Sequence, residues 1–212
     1  MAGEIQVPCG DLLLAGEWLM PAAATGVVLF AHGSGSSRHS PRNQSVARML
    51  RSAGMGTLLF DLLTASEEEE DRFTGHLRFD IDLLAQRLIA AAEWVHAQEP
   101  ELRLGYFGAS TGGGAALLAN ARSNLWIRAI VSRGGRPDLA GAALPQVKAA
   151  TLLIVGGNDT AVIELNRQAY ERLRCEKEMQ LIPGATHLFE ENGALERVAQ
   201  MAAKWLGRHL AA

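Results

Sequence analysis

The sequence predicts an α/β fold: one mostly parallel central sheet of about eight strands with helices on both faces, in a single domain over residues 1–212. Three observations carry that reading. From residue 102 onward, apolar strand-like runs alternate with helix-like stretches, the order a parallel sheet with crossover helices requires. The run 27–31 (VVLFA) is unbroken, as suits a strand buried on both faces. Residues 108–112, GASTG, stand between an apolar run and the helix-like 115–119, which places a sharp turn between a strand and a helix.

Composition fits that class. A chain of 212 residues with 48% hydrophobic residues can bury a sizeable core. The formal net charge is −3 and the basic residues are scattered, so neither nucleic acid nor membrane is an expected partner. Cys9 and Cys175 lie far apart and read as free thiols of a reducing compartment. No apolar run approaches the ~18 residues of a membrane span. The N-terminal stretch lacks a basic start and a long apolar centre, so a cytoplasmic location is expected.

The elements follow in order. Residues 4–8 and 12–19 read as a hairpin, with turn chemistry at Pro8-Cys9-Gly10-Asp11. Residues 21–26 are a loop, and 27–31 the first unbroken strand. That strand opens into His32-Gly33-Ser34-Gly35-Ser36-Ser37-Arg38, followed by a helix through Val46, Met49 and Leu50. Small residues after a strand let backbone N–H groups approach a ligand, and the Ser34 N–H is a candidate donor to an oxyanion. A dinucleotide loop is excluded, because Arg38 stands where its third glycine belongs. His32 reads as a structural residue, with a general base as the alternative.

Residues 57–61 form the next strand, and 62–79 is polar and irregular. Glu67 to Glu70 are consecutive and read as a solvated helix start or loop; adjacent side chains do not converge on a metal. Residues 79–96 are helical, with Ile81, Leu84, Leu88, Ala91 and Val95 on one stripe, and Glu99-Pro100 stops them. The strand at 102–107 leads to the G-x-S-x-G turn at Ser110. The motif alone is weak in a chain with 22 glycines, and Ser110 as a plain helix cap is the competing reading. A phosphate loop is excluded, because Ala115 follows Gly114 where a lysine is needed.

Residues 127–132 form a strand that opens into Arg133-Gly134-Gly135-Arg136-Pro137-Asp138. In a parallel sheet this loop falls at the carboxyl edge, where Arg133 and Arg136 could hold a substrate anion; internal ion pairs, for instance with Asp138, are the alternative. Residues 150–155 end in Gly156-Gly157-Asn158-Asp159, before a helix at 163–173. Asp159 either caps that helix or reaches across the sheet edge. A last strand, 178–182, leads to Pro183-Gly184-Ala185-Thr186-His187, and a closing helix spans 194–210.

Ser110, Asp159 and His187 thus occur in that order, each at or after a strand end. A serine hydroxyl needs a base within reach, and the base needs a group to fix its tautomer. Three weak signals in this order at strand ends are together strong.

On His32-Gly33-Ser34-Gly35, Gly108-Ala109-Ser110-Thr111-Gly112, Gly157-Asn158-Asp159 and Gly184-Ala185-Thr186-His187, the sequence resembles the α/β-hydrolase superfamily over nearly its whole length. In particular it resembles the small, capless enzymes around the dienelactone hydrolases. The resemblance implies nucleophile Ser110, base His187, orienting acid Asp159 and oxyanion N–H groups at Ser34 and Thr111, with no cofactor and no metal. Dienelactone hydrolases proper use cysteine as nucleophile. Serine here points to a general carboxylesterase acting on a small-molecule ester. Thioester, lactone or amide cleavage on the same triad, or a non-catalytic binding role, are the alternatives. About twenty residues between the strands at 127 and 151 leave no room for a lid domain. An open pocket is therefore expected, bordered by 133–138 and by 62–79. The chain is expected to be a monomer or homodimer.

Overall fold

A computed structural model describes residues 2–211. Its centre is an eight-stranded sheet in the order β1-β2-β4-β3-β5-β6-β7-β8. The hairpin β1 (Ala2–Cys9) and β2 (Leu12–Leu19) is antiparallel, and β2 also pairs antiparallel with β4 (Gly56–Phe60). The remaining neighbours, β3 (Gly26–Ala31), β4, β5 (Arg103–Ala109), β6 (Ile127–Arg133), β7 (Ala150–Gly156) and β8 (Lys177–Ile182), are parallel. All their carboxyl ends lie along one edge of the sheet.

The unbroken apolar run has a direct cause. In β3, Val28 and Phe30 face one core, while Val27, Leu29 and Ala31 face the other. Side chains alternate along a strand, so burial on both faces removes every polar position. One face is covered by α1 (Pro41–Ser52) and α6 (Ala194–Leu210), through Val46, Leu50, Val198 and Leu206. The other is covered by α3 (Ile81–Gln98) and α4 (Thr111–Arg122), through Leu84, Leu88, Ala91, Ala116 and Leu117, with Leu173 beyond the end of α5 (Thr160–Arg172).

The stretch at 62–79 is more ordered than its composition suggests. Residues Ala65–Thr74 form α2. Thr64 and Glu67 close a reciprocal capping box at its start. Glu67 also receives Arg87 of α3, at 2.6 Å to Oε2 and 2.5 Å to Oε1, and Arg87 adds a bond to the Leu62 carbonyl at 2.9 Å. Arg87 is 3% exposed. Glu67 is partly exposed, so removing one partner costs less than the about 3–5 kcal/mol of a fully buried pair but more than the ~0.5 kcal/mol of an exposed one. The Arg87 clamp therefore anchors α2, and surface pairs such as Arg122–Asp82 do not anchor the fold. Hydrogen bonds from Arg87 hold the Glu67 carboxyl down to about 2 from its ordinary 4.5. Its contribution to stability is present above pH 4.5 and is lost as pH falls toward 2.

Between β6 and β7 the chain makes 3-10 turns over Pro137–Gln146, kinked at Gly141, with no cap domain. Both cysteines are free thiols.

Candidate active site

β5 ends at Ala109 and α4 begins at Thr111, so Ser110 alone makes the turn. Its backbone sits at φ 51°, ψ −122°, a region that costs a residue with a side chain about 1–3 kcal/mol. The surroundings hold it there. Its N–H donates to the Arg133 carbonyl at 3.2 Å, and its carbonyl accepts from Gly113 and Arg136, each at 3.0 Å. The flanking glycines are a steric necessity. A Cβ on Gly108 would lie 2.5 Å from the Gly112 carbonyl oxygen and 2.6 Å from Gly113 Cα. A Cβ on Gly112 would lie 2.6 Å from the His32 carbonyl oxygen and closer still to that of Ala31. Ser110 makes no side-chain capping bond to α4. Its Oγ instead faces His187 Nε2 at 3.4 Å.

Asp159 occupies the N-cap position of α5 by backbone, yet its side chain makes no capping bond either. Its Oδ2 accepts from His187 Nδ1 at 2.6 Å. The acid is 15% exposed and the imidazole 39%. That bond places the ring proton on Nδ1 and leaves the Nε2 lone pair toward Ser110. The two loops are tied together. Gly157 N–H donates to Ile182 at 2.8 Å, Asn158 N–H to Ala185 at 2.9 Å, and Asn158 Nδ2 to Gly184 at 2.9 Å. The 3.4 Å from Nε2 to Oγ is long for a formed hydrogen bond, a separation common before substrate closes the site.

The Thr111 N–H is the first of α4, with no carbonyl inside the helix to receive it. The Ser34 N–H, in contrast, donates to Thr111 Oγ1 at 2.9 Å. The second donor suggested by the sequence is thus engaged by a buried hydroxyl, which closes the 33–36 loop onto the start of α4. Residue type gives no hint of this: Thr111 and Ser34 are 77 positions apart.

His32 is structural. Its Nδ1–H donates to the Gly33 carbonyl and its Nε2 accepts the Leu62 N–H, each at 3.0 Å. Burial pushes its pKa below the ordinary value, keeping the imidazole neutral. The two arginines of the 133–138 loop part company. Arg136 is held by Asp138, Nε at 2.9 Å and Nη2 at 2.8 Å, and does not line the cavity at Ser110. The expectation that it meets substrate is corrected by that internal pair, which its nearest acid makes two residues along the chain. Arg133 is 7% exposed and does line the cavity, a space of about 240 Å³ shared with Ser34, Ser40, Arg42, Ser110 and His187. Ser40 and Arg42, at the start of α1, carry no sequence signal of this role. The 62–79 segment does not border this cavity. It lines a separate one of about 200 Å³ across the 33–36 loop, through Leu62, Leu63, Arg72 and Arg78.

A parallel sheet with Ser, Asp and His converging at its carboxyl edge defines an α/β-hydrolase fold. No protein-family model matches the chain. A dienelactone hydrolase from Anabaena variabilis is 55% identical, with a TM-score of 0.96 over 99% of this chain and 98% of that one. The chain belongs to the dienelactone hydrolase-like group of the α/β-hydrolase superfamily. A lidless α/β serine hydrolase from Xanthomonas campestris shares the fold at 23% identity, with a TM-score of 0.80 over 100% and 96% of the two chains. Proteins of two Mycobacterium tuberculosis strains, provisionally named phosphoribosyl transferases, are 54% identical over 98% of this chain. The chain spans about half the length, 46%, of those curated relatives.

Proposed function

We propose that the chain is a serine hydrolase cleaving a small carboxylic ester through an acyl-enzyme on Ser110. The observation that carries this is the alignment Ser110 Oγ, His187 Nε2, His187 Nδ1 and Asp159 Oδ2, at 3.4 and 2.6 Å. His187 takes the hydroxyl proton as Oγ attacks the ester carbonyl, and Asp159 stabilises the imidazolium that forms. The Thr111 N–H, at the positive end of α4, supports the oxyanion, with the Ser34 N–H as the second donor once it leaves Thr111 Oγ1. His187 then protonates the departing alcohol, and water, deprotonated by the same ring, hydrolyses the acyl-enzyme.

Relatives named as esterases and as a dienelactone hydrolase support hydrolysis as the class of reaction. The transferase name belongs to proteins about twice as long. A histidine-activated serine serves acyl chemistry, and that alignment carries the proposal. Turnover of one acyl group presented as oxygen ester, thioester, lactone and amide tests the reading. The oxygen ester is expected to give the highest kcat/KM; a maximum on the amide or thioester would reassign the bond.

The Thr111 hydroxyl provides a second check. Thr111→Val keeps the shape but deprives the Ser34 N–H of its acceptor. That bond must break before the N–H meets the oxyanion, so removing about 1 kcal/mol of it predicts a rise in kcat of up to roughly 5-fold, with KM little changed and reversal by Thr111→Ser. An equal or lower kcat in the valine variant would show that the Ser34 N–H does not serve the oxyanion.

A further inference from the structure

The segment that carries the base also carries an acid without a counter-ion. His187 lies between β8 and α6, and Glu190 and Glu191 follow it on the same stretch. The two acids are used differently. Glu190 is 64% exposed and pairs with Arg42 at 3.0 Å. Among the described residues no cation stands within ion-pair distance of Glu191. Its Oε1 instead accepts twice from one residue, from the Thr186 N–H at 3.0 Å and from the Thr186 hydroxyl at 2.6 Å. Its Oε2 is buried without a partner. The bond from the Thr186 hydroxyl holds the Glu191 pKa below its ordinary value, so the group is a carboxylate at neutral pH.

Thr186 is the residue before the base, so these bonds fix the peptide on which His187 stands. The imidazole needs that support. It is 39% exposed, and its polar contacts are one short bond to Asp159 and one long approach to Ser110. A ring held by one short bond can swing about it unless its backbone is fixed. On the far side of His187 the chain is already held. Phe189 is 1% exposed at φ 57°, and its N–H returns to the Thr186 carbonyl at 3.3 Å. The Glu191 carbonyl in turn accepts the Ala194 N–H at 2.9 Å, at the start of α6. Glu191 therefore ties the histidine loop to a helix packed against the sheet.

We propose that Glu191 is a positioning residue for the general base: its carboxylate, through both hydrogen bonds to Thr186, holds the His187 imidazole in line between Asp159 Oδ2 and Ser110 Oγ. The role of His187 rests on the ester reading; the alignment itself exists in the resting protein and does not depend on turnover. Glu191 does not line the cavity at Ser110, so it acts through His187 and not on the substrate. Its loss misplaces the base without removing it. Misplacing a reacting group by about 1 Å costs on the order of 10²-fold in rate, and a loop that still visits the right position loses less.

Hydrolysis of 4-nitrophenyl acetate tests the proposal. Glu191→Ala should lower kcat by roughly 10- to 100-fold and leave KM within about 2-fold, the signature of an alignment lost in the chemical step. Glu191→Gln keeps an oxygen that accepts both Thr186 bonds, and should hold kcat within about 5-fold of wild type. Thr186→Val removes the shorter bond and keeps the N–H one. It should lower kcat by about 5-fold, with rescue by Thr186→Ser, and keeps the proposal testable if Glu191→Ala does not fold. A kcat within about 2-fold of wild type in both the alanine and the valine variants overturns the proposal, as does an equal loss in Glu191→Gln and Glu191→Ala.

The His187 Nδ1 proton gives a readout that needs no turnover. Shared with Asp159 across 2.6 Å, it resonates far downfield in the proton NMR spectrum. The resonance should be present in wild type and in Glu191→Gln. In Glu191→Ala it should move upfield or vanish by exchange with water, with the circular dichroism of the fold unchanged. That outcome in a protein that cleaves no ester would retain the positioning role and reject the ester reading. An unmoved resonance in Glu191→Ala overturns the proposal even where kcat falls.

Discussion

Ser110→Ala is expected to lower ester turnover by at least about 10⁴-fold while leaving the melting temperature unchanged within about 2 °C. The chemical argument is that among the described residues Ser110 Oγ is the one hydroxyl within hydrogen-bond reach of His187 Nε2, so attack on the carbonyl loses its nucleophile rather than being slowed. The structural argument is that alanine keeps Cβ and therefore keeps both the strained φ of 51° and the packing around it. Ser110→Gly separates the two effects. It removes about 1–3 kcal/mol of backbone strain and adds about 0.5–1 kcal/mol of chain freedom in the unfolded state. The glycine variant should therefore be inactive yet more stable by about 1 kcal/mol, a rise of roughly 2–4 °C in melting temperature. Equal melting of the glycine and alanine variants would show that the turn stores no strain.

Gly112→Ala is expected to destabilise the fold by about 3 kcal/mol or more, measured by urea or thermal unfolding. Two terms compete. Alanine improves the helix start by about 1 kcal/mol. Against this, its Cβ would meet the carbonyls of Ala31 and His32, backbone atoms at the end of β3 that cannot rotate away. Sterics win, because relief requires α4 to lift off the sheet, and that would also move Ser110. The loss is a large part of the 5–15 kcal/mol that holds a typical domain together. Gly207 of α6 is the control: a Cβ there meets nothing within 4 Å, so Gly207→Ala should stabilise by about 1 kcal/mol. A Gly112→Ala protein as stable as the Gly207→Ala one would refute the close approach of α4 to β3.

The inner parallel strands were legible because both their faces are buried, which leaves a run such as 27–31 without a polar residue. The order Ser110, Asp159, His187 was legible because a parallel sheet delivers every strand's carboxyl end to one edge. Other features depend on partners remote in sequence. The helix Ala65–Thr74 looks like a solvated acidic stretch until Arg87 of α3 arrives to bind Glu67. Arg133 and Arg136 are equivalent in composition and three residues apart. One ends a strand beside the nucleophile; the other meets Asp138. Arg42 enters the cavity only because α1 crosses the sheet edge near Ser110. The Thr111–Ser34 contact likewise exists only once β3 and β5 pair side by side. Asp159 shows the limit most clearly: it does sit at a helix N-cap, and only its side-chain direction separates that role from binding His187.

Labelling with a fluorophosphonate probe, read by intact mass and peptide mapping, tests the central claim most directly. The account predicts one adduct, on Ser110, that is lost in His187→Ala. No adduct on folded protein, or an adduct that persists without His187, would contradict an activated serine at this site.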